Sequence, residues 1–136
     1  MNFQHQIDEM TNQVLKQMEK SPFLNRTNED RLKAKGNIYF IYSDGELKYI
    51  GQRQAKGIKT RLDQHLFGKS YSVNERNIQN GTVSKWHLVK IELENEKEIT
   101  FKAVTVEPDN LRTTIELELI SRLRPEWNIQ GKSRLS

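Results

Sequence analysis

The first twenty residues carry apolar side chains at steps of three and four positions, which is the repeat of one helical face. This pattern predicts an amphipathic helix that ends at Ser21-Pro22. Such a stripe normally packs against a core, and a contact between two copies of the chain is the alternative. Residues 23–35 are polar and irregular, as in a connector, with a short helix at 29–34. The stripe consists of Phe3, Ile7, Met10, Val14, Leu15 and Met18.

A β-hairpin is predicted next. Residues 38–42 and 47–50 are rich in aromatic and β-branched side chains, and the Asp-Gly pair at 44–45 is a hairpin turn signal. Strand residues alternate between two faces, so Tyr39 and Ile41 share one face and the other residues of 38–42 share the opposite one. Both sets are mainly apolar. The hairpin is therefore predicted to be buried on both sides, where a tyrosine needs a polar partner or a chemical role.

The rest of the chain alternates between helical and strand patterns. The segment from 82 is predicted as a helix, although a strand beginning at Trp86 is the alternative. Asp109 or Asn110 is expected to cap the last helix, which ends before Pro125. Three strands with helices between and around them make an α+β fold. The predicted elements after the hairpin are a helix over 58–67, a loop over 69–81, a helix over 82–93, a strand over 99–106 and a helix over 111–123.

Length and composition limit the classes of protein. The 136 residues suit one domain, in which 1–35 form the helix and connector and 36–136 form the main body. Cysteine is absent, which excludes disulfides, thiolate metal sites and cysteine nucleophiles. No stretch approaches the roughly 20 apolar residues of a membrane span, and the N-terminus lacks a signal-peptide pattern. A soluble cytoplasmic protein without a membrane partner is expected.

The positive charge is concentrated in one part of the chain. The formal net charge is +4, yet residues 52–90 contain eight basic and two acidic residues, a balance of +6. This segment is predicted to face a polyanion, with a solvated helical surface as the alternative. The candidates for contacts to nucleic acid are Arg53, Lys56, Lys59, Lys69 and Lys85.

Four side chains are candidates for a site. Arg61 and His65 lie four positions apart, so they project from one side of the predicted helix and can converge on one ligand. Glu116 lies at the margin of the apolar stripe of the last helix, where a carboxylate costs stability unless it is paired or binds a cation. Asn128 suits the capping of a turn or the binding of a backbone group.

These residues occur in a familiar order. Ile38-Tyr39, then Tyr49-Ile50-Gly51, Arg61 with His65, a glutamate and Pro125-x-x-Asn128 together resemble the GIY-YIG nuclease family. The resemblance covers residues 36–129, and its spacing of twelve before Asn128 selects Glu116 over Glu118. Two features depart from the family pattern. Glycine stands at position 36 with Asn37 before the Ile-Tyr pair, and the segment from Tyr49 to Arg61 is longer than in homing members.

The resemblance implies a small three-stranded antiparallel sheet flanked by helices, with the N-terminal helix as an addition. It also implies metal-dependent hydrolysis of DNA phosphodiester bonds. Glu116 would bind Mg²⁺ or Mn²⁺, Arg61 would grip the phosphate and Tyr39 would activate or position water. Tyr49 and His65 would orient water and phosphate, and Asn128 would anchor the chain after the last helix.

Two other functions are compatible with the sequence. One is a nucleic-acid-binding module that has lost its chemistry, and the other is a protein-interaction domain that uses the N-terminal helix. Metal-dependent cleavage of plasmid DNA separates the nuclease from both. A nuclease with one such site cuts one strand, so double-strand breaks need either a homodimer, with the N-terminal stripe as its expected seam, or a second encounter with the DNA.

Overall fold

The computed structural model describes residues 2–53, 65–67 and 85–133. It has an α+β fold in which helices pack on a four-stranded antiparallel sheet. The elements are α1 (Phe3–Lys20), β1 (Leu24–Asn25), α2 (Asn28–Lys33), β2 (Ile38–Ser43), β3 (Glu46–Gln52), α3 (Trp86–Glu94), β4 (Ile99–Val104), a 3-10 turn (Asp109–Leu111), α4 (Arg112–Leu123) and α5 (Glu126–Ser133). The strands lie in the sheet in the order β1-β4-β2-β3. Residues 65–67 are also helical.

The three predicted strands are present, but the predicted count of three is not confirmed. The fourth strand, β1, pairs with β4 through two residues only. Two residues are too few to produce a two-residue alternation, so the pattern along the sequence does not reveal this strand.

The hairpin prediction is confirmed. β2 and β3 pair antiparallel, with Tyr39 opposite Gly51 and Ile41 opposite Tyr49. Asp44 and Gly45 have φ angles of 49° and 80°, which is the left-handed geometry that tight two-residue hairpin turns require. All six residues of β2 are buried, as the apolar pattern on both faces predicted.

The sheet separates two apolar clusters, which lie on its first and second faces. α1 and α4 pack on the first face, and Val14 of α1 is only 3% exposed. The N-terminal stripe is therefore mainly a core face, so it does not offer the seam that the predicted homodimer would use. The first face holds Ile38, Phe40, Tyr42 and Ile50, and the second holds Tyr39, Ile41, Tyr49, Leu66, Val89 and Trp127.

Several predicted boundaries need correction. The helix expected over 82–93 is α3, so the alternative of a strand beginning at Trp86 is wrong. Neither Asp109 nor Asn110 caps α4, because both belong to the 3-10 turn that leads into it. The predicted end of α4 at Leu123 is confirmed, because Arg124 follows as the cap with a left-handed φ of 47°, but a further helix, α5, comes after it.

α5 was missed because Pro125 has two effects. Proline disfavours helical geometry in the residue before it, yet it is well suited to the first turn of a helix. The carbonyl of Pro125 accepts hydrogen bonds from the main-chain N–H groups of Asn128 and Ile129, both at 3.1 Å.

Of the predicted helix over 58–67, only residues 65–67 are described, and the predicted loop over 69–81 lies outside the described residues. In the described part of the chain no helix is long and apolar enough to cross a membrane.

Candidate active site

Three aromatic rings meet on the second face of the sheet. The centroid of the His65 ring lies 5.7 Å from that of Tyr39 and 5.0 Å from that of Tyr49, and the two tyrosine rings are 6.3 Å apart. Tyr39 and His65 are fully buried, and Tyr49 is 7% exposed. Strand alternation directs both tyrosines to this face. Three of the predicted site residues are thus brought together by β2, β3 and the helical residues 65–67.

Gly51 makes room for this cluster. Gly51 is the cross-strand partner of Tyr39, and a β-carbon at this position would overlap the Tyr39 ring. Any other residue at 51 would push the ring away from its place beside His65. The glycine of the Tyr-Ile-Gly motif is therefore required by a close approach of a side chain to the backbone, not by the path of the strand.

The backbone before α3 holds the His65 ring. The main-chain N–H of Lys85 donates a 2.8 Å hydrogen bond to Nδ1 of His65. The Lys85 ammonium lies 5.7 Å from the centroid of the Tyr49 ring, within the range of a cation–π contact. Lys85, a predicted contact to nucleic acid, therefore lies beside the aromatic cluster.

Asn128 binds the backbone of β3. Its Oδ1 accepts a 2.9 Å hydrogen bond from the N–H of Ile50, and its Nδ2 donates a 3.0 Å hydrogen bond to the carbonyl of Ile50. A side-chain amide has the same donor and acceptor pair as a peptide group, so Asn128 takes the place of a neighbouring strand at this point. Of the two uses that the sequence suggested for Asn128, the structure shows the binding of a backbone group.

Glu116 lies at the end of β3. Its Oε1 is 3.5 Å from Nε2 of Gln52, which is a long hydrogen bond, and Oε1 of Gln52 accepts a 3.0 Å hydrogen bond from Thr113. Because Gln52 alternates with Gly51, its side chain leaves the strand on the first face. Glu116 is half-buried and reaches β3 from that side.

Glu118 has different surroundings. Its Oε1 accepts a 3.3 Å hydrogen bond from Nε of Arg122 one turn further along α4. Arg122 also bonds to Asp8 and Asn12, so this face of α4 is turned toward α1. Glu118 therefore lies on the α1 side of α4, whereas Glu116 contacts β3.

Four consecutive residues of β3 support the described site. Tyr49 belongs to the ring cluster, Ile50 is bound by Asn128, Gly51 admits the ring of Tyr39 and Gln52 contacts Glu116. Glu116 and the ring cluster approach the strand from opposite faces.

The structure describes only some of the basic residues that are predicted to bind phosphate or nucleic acid. Arg53 is only 5% exposed, and its guanidinium donates hydrogen bonds of 2.9 Å to the carbonyl of Gly36 and 2.8 Å to that of Ala34. It thus joins the connector to the end of β3, and little of its surface is left for a phosphate. Contact of Arg53 with nucleic acid stays a prediction. The predicted site residue Arg61 and the predicted contacts Lys56, Lys59 and Lys69 lie outside the described residues.

Asn37 is a structural residue that the sequence did not reveal. It is buried, its Oδ1 accepts a 2.8 Å hydrogen bond from the N–H of Val106, and its Nδ2 donates to the carbonyl of Val106 and to Asp109, both at 2.9 Å. Asn37 therefore fastens the start of β2 to the chain after β4. The departure of this position from the family pattern was the available signal. The displaced Gly36 has a φ of 144°, and a β-carbon there would overlap the carbonyl of Val104.

A divalent cation at this site would depend on Glu116. Among the described residues no three His, Asp or Glu side chains form a ready-made metal centre. One half-buried carboxylate suits Mg²⁺, which keeps several water ligands and takes further oxygens from a bound phosphate. The donor chemistry of Glu116 therefore fits such an ion without a second protein carboxylate.

Comparisons of the chain with protein-family models, with curated proteins and with solved structures found no match.

Proposed function

We propose that the protein is a metal-dependent endonuclease of the GIY-YIG kind that hydrolyses phosphodiester bonds of DNA. The observation that supports it is the meeting of Tyr39, Tyr49 and His65 on one face of the sheet, with Gly51 making room for the ring of Tyr39. These are the motif residues of the two strands and of the following helix. The two tyrosines belong to neighbouring strands of one hairpin, and cross-strand packing alone does not require a histidine against both rings.

The chemistry requires a nucleophile in line with the leaving oxygen and neutralisation of the phosphoryl charge. Glu116 would hold Mg²⁺ or Mn²⁺, and Arg61 would bind the phosphate oxygens through its planar fork. When bound, the cation supplies the charge that stabilises the phosphate and the leaving oxygen. Tyr39 or Tyr49 would position and deprotonate the attacking water, which requires help because an ordinary tyrosine has a pKa of about 10.

Asn128 would keep the end of β3 in register beneath the site. Its two hydrogen bonds to Ile50 lie between Tyr49 and Gly51, so any shift of the strand would move both tyrosine rings. DNA as the partner and a cytoplasmic location belong to this proposal. A homodimer would have to form through a surface other than the buried stripe of α1.

A second candidate is a nucleic-acid-binding module on the same fold that does not hydrolyse its ligand. The burial of Tyr39 and His65 favours it, because neither side chain exposes surface to a substrate. The excess of basic residues over 52–90 suits this function equally well.

Cleavage of supercoiled plasmid with Mg²⁺, with Mn²⁺ and with EDTA separates the two candidates. Metal-dependent nicking by the unmodified protein is expected, and salt-sensitive DNA binding without nicking would select the binding module. Glu116→Ala should reduce nicking at least a hundredfold and leave DNA binding in EDTA intact. The matched control is Glu118→Ala, which removes only a pair on the α1 side of α4. Full nicking by Glu116→Ala would remove Glu116 from the site.

Separate variants distinguish chemistry from binding. Arg61→Lys keeps the charge and loses the bidentate fork, so turnover should fall much more than DNA affinity. Lys69→Ala and Lys85→Ala should weaken binding to all sequences and reduce its salt dependence. If all three changes affected binding and rate equally, Arg61 would contribute only to the positive field.

A further inference from the structure

The hydrogen bond between the main chain of Lys85 and His65 determines where the imidazole carries its proton. A main-chain N–H can only donate, and it lies 2.8 Å from Nδ1 of His65. Nδ1 must therefore present a lone pair. A neutral imidazole has one N–H, so that proton is on Nε2.

We propose that the main chain of Lys85 holds His65 in the Nε2–H tautomer, so that His65 acts in hydrolysis as a hydrogen-bond donor and not as the general base. The tautomer follows from the geometry of the folded chain alone. The role in hydrolysis rests on the proposed nuclease function.

Burial maintains this arrangement. The His65 ring is fully buried beside Tyr39 and Tyr49, so water does not replace a lost partner. The other neutral tautomer would bring an Nδ1–H against the N–H of Lys85. A half-turn of the ring would place a carbon against the same N–H. Either change removes the hydrogen bond between the main-chain N–H of Lys85 and the buried ring, and a hydrogen bond lost beside a fully buried side chain costs stability.

The fixed tautomer limits the chemistry of His65. Nδ1 is occupied, and Nε2 already carries a proton, so the neutral ring has no lone pair to accept a proton from water or tyrosine. It can donate from Nε2 to a neighbouring oxygen that gains negative charge, such as a tyrosine oxygen. Deprotonation of water then falls to Tyr39 or Tyr49.

NMR of protein labelled with ¹⁵N-histidine tests the tautomer without DNA or metal. The chain has three histidines, and His5→Gln and His87→Gln, made singly, assign the signals of the other two. We expect the His65 ring to show a proton bonded to Nε2 and none on Nδ1. A proton on Nδ1, or an even mixture of the two tautomers, would overturn the proposal.

Two substitutions at Lys85 test the source of the effect. Lys85→Pro removes the main-chain N–H, whereas Lys85→Ala keeps it and removes only the ammonium group. The Nε2–H pattern should persist in Lys85→Ala and be replaced by a tautomer mixture in folded Lys85→Pro. Loss of the pattern in Lys85→Ala would show that the side chain controls the tautomer, against the proposal. If Lys85→Pro does not fold, the spectrum of the unmodified protein decides whether His65 is the Nε2–H tautomer.

Kinetics test the role in hydrolysis. His65→Gln can place an amide N–H near the position of Nε2, whereas His65→Asn is too short to do so. A donor role predicts at least tenfold faster turnover for His65→Gln than for His65→Asn, with the pH profile of kcat/KM unchanged in shape. A general base would give a different result: both variants would lose the acidic limb of the kcat/KM profile, and turnover would fall by about 10²- to 10⁴-fold in each. If the unmodified protein does not cut DNA, the donor role fails with the proposed function, while the tautomer is still decided by NMR.

Discussion

The paired hydrogen bonds between Asn128 and Ile50 predict a large and specific loss of stability when Asn128 is replaced. Asn128→Ala removes both bonds, each with a net value of about 1 kcal/mol, and leaves the N–H and carbonyl of a buried residue without partners. Asn128 is only half-buried, so water can compensate in part. We expect the free energy of unfolding to fall by about 2–3 kcal/mol, equivalent to a decrease in Tm of about 6–15 °C for a chain of this length.

Asn128→Asp is a more specific test, because the side chain keeps almost the same size and shape and only its hydrogen-bonding groups change. The introduced carboxylate still accepts from the N–H of Ile50, but it has no donor for the carbonyl of Ile50. Protonation restores that donor, so folding raises the pKa of the introduced carboxyl above its value in the unfolded chain. The variant should therefore be clearly less stable than the unmodified protein at neutral pH. The difference in free energy of unfolding between the variant and the unmodified protein should become smaller as the pH falls through the pKa of the introduced carboxyl in the folded state.

Urea unfolding followed by circular dichroism at several pH values measures both effects. Substitution of Asn95 by Ala, at an exposed position after α3, is the matched control, and its effect should stay within about 0.5 kcal/mol. The reasoning would be refuted if Asn128→Ala were as stable as this control. It would also be refuted if the penalty of Asn128→Asp did not change with pH.

The close approach of Gly51 and the Tyr39 ring predicts that Gly51→Ala lowers the free energy of unfolding by about 1–3 kcal/mol, and unchanged urea unfolding would contradict the overlap. Burial raises the pKa of Tyr42 to about 12, so the unfolded chain loses this proton first and stability falls as the pH rises from about 10 toward 12. In Tyr42→Phe, the Tm from thermal unfolding should decrease less over this pH range. An unchanged decrease in Tm would mean that another group causes it. Thr113→Val removes the donor to the glutamine that contacts Glu116, so the Mg²⁺ concentration for half-maximal cleavage should rise several-fold. Thr113→Ser should restore the original value, and equal values for all three proteins would exclude the contact from metal binding.

Elements with a complete repeat were predictable from the sequence. The hairpin was found because its strands alternate over several residues and its turn carries Asp44-Gly45, whose left-handed geometry few other pairs adopt easily. α1 was found because five helical turns repeat one apolar stripe. β1 and the order of the strands were not predictable, because pairing between distant segments leaves no local pattern.

The aromatic part of the candidate site could be predicted from the sequence, because it depends on aromatic residues at particular positions of the two hairpin strands. Alternation placed Tyr39 on the same face as Ile41, and the family resemblance grouped Tyr39 with Tyr49, whose rings lie 6.3 Å apart in the structure. The buried position of Arg53 was not predictable, because a sequence shows its charge but not the two carbonyls that bind it. The contacts of Gln52 and Asn37 were missed for the same reason, since their partners lie more than sixty residues away.

The two outer strands of the sheet also bear on how the chain behaves when crowded with copies of itself. An outer strand with a long row of free peptide groups is a template on which other chains can add strands and aggregate. Here one outer strand, β1, is only two residues long, and the other, β3, has both peptide groups of Ile50 occupied by Asn128. Neither border offers a long uninterrupted template, so the residue that holds β3 in register also protects the sheet from growing at that side.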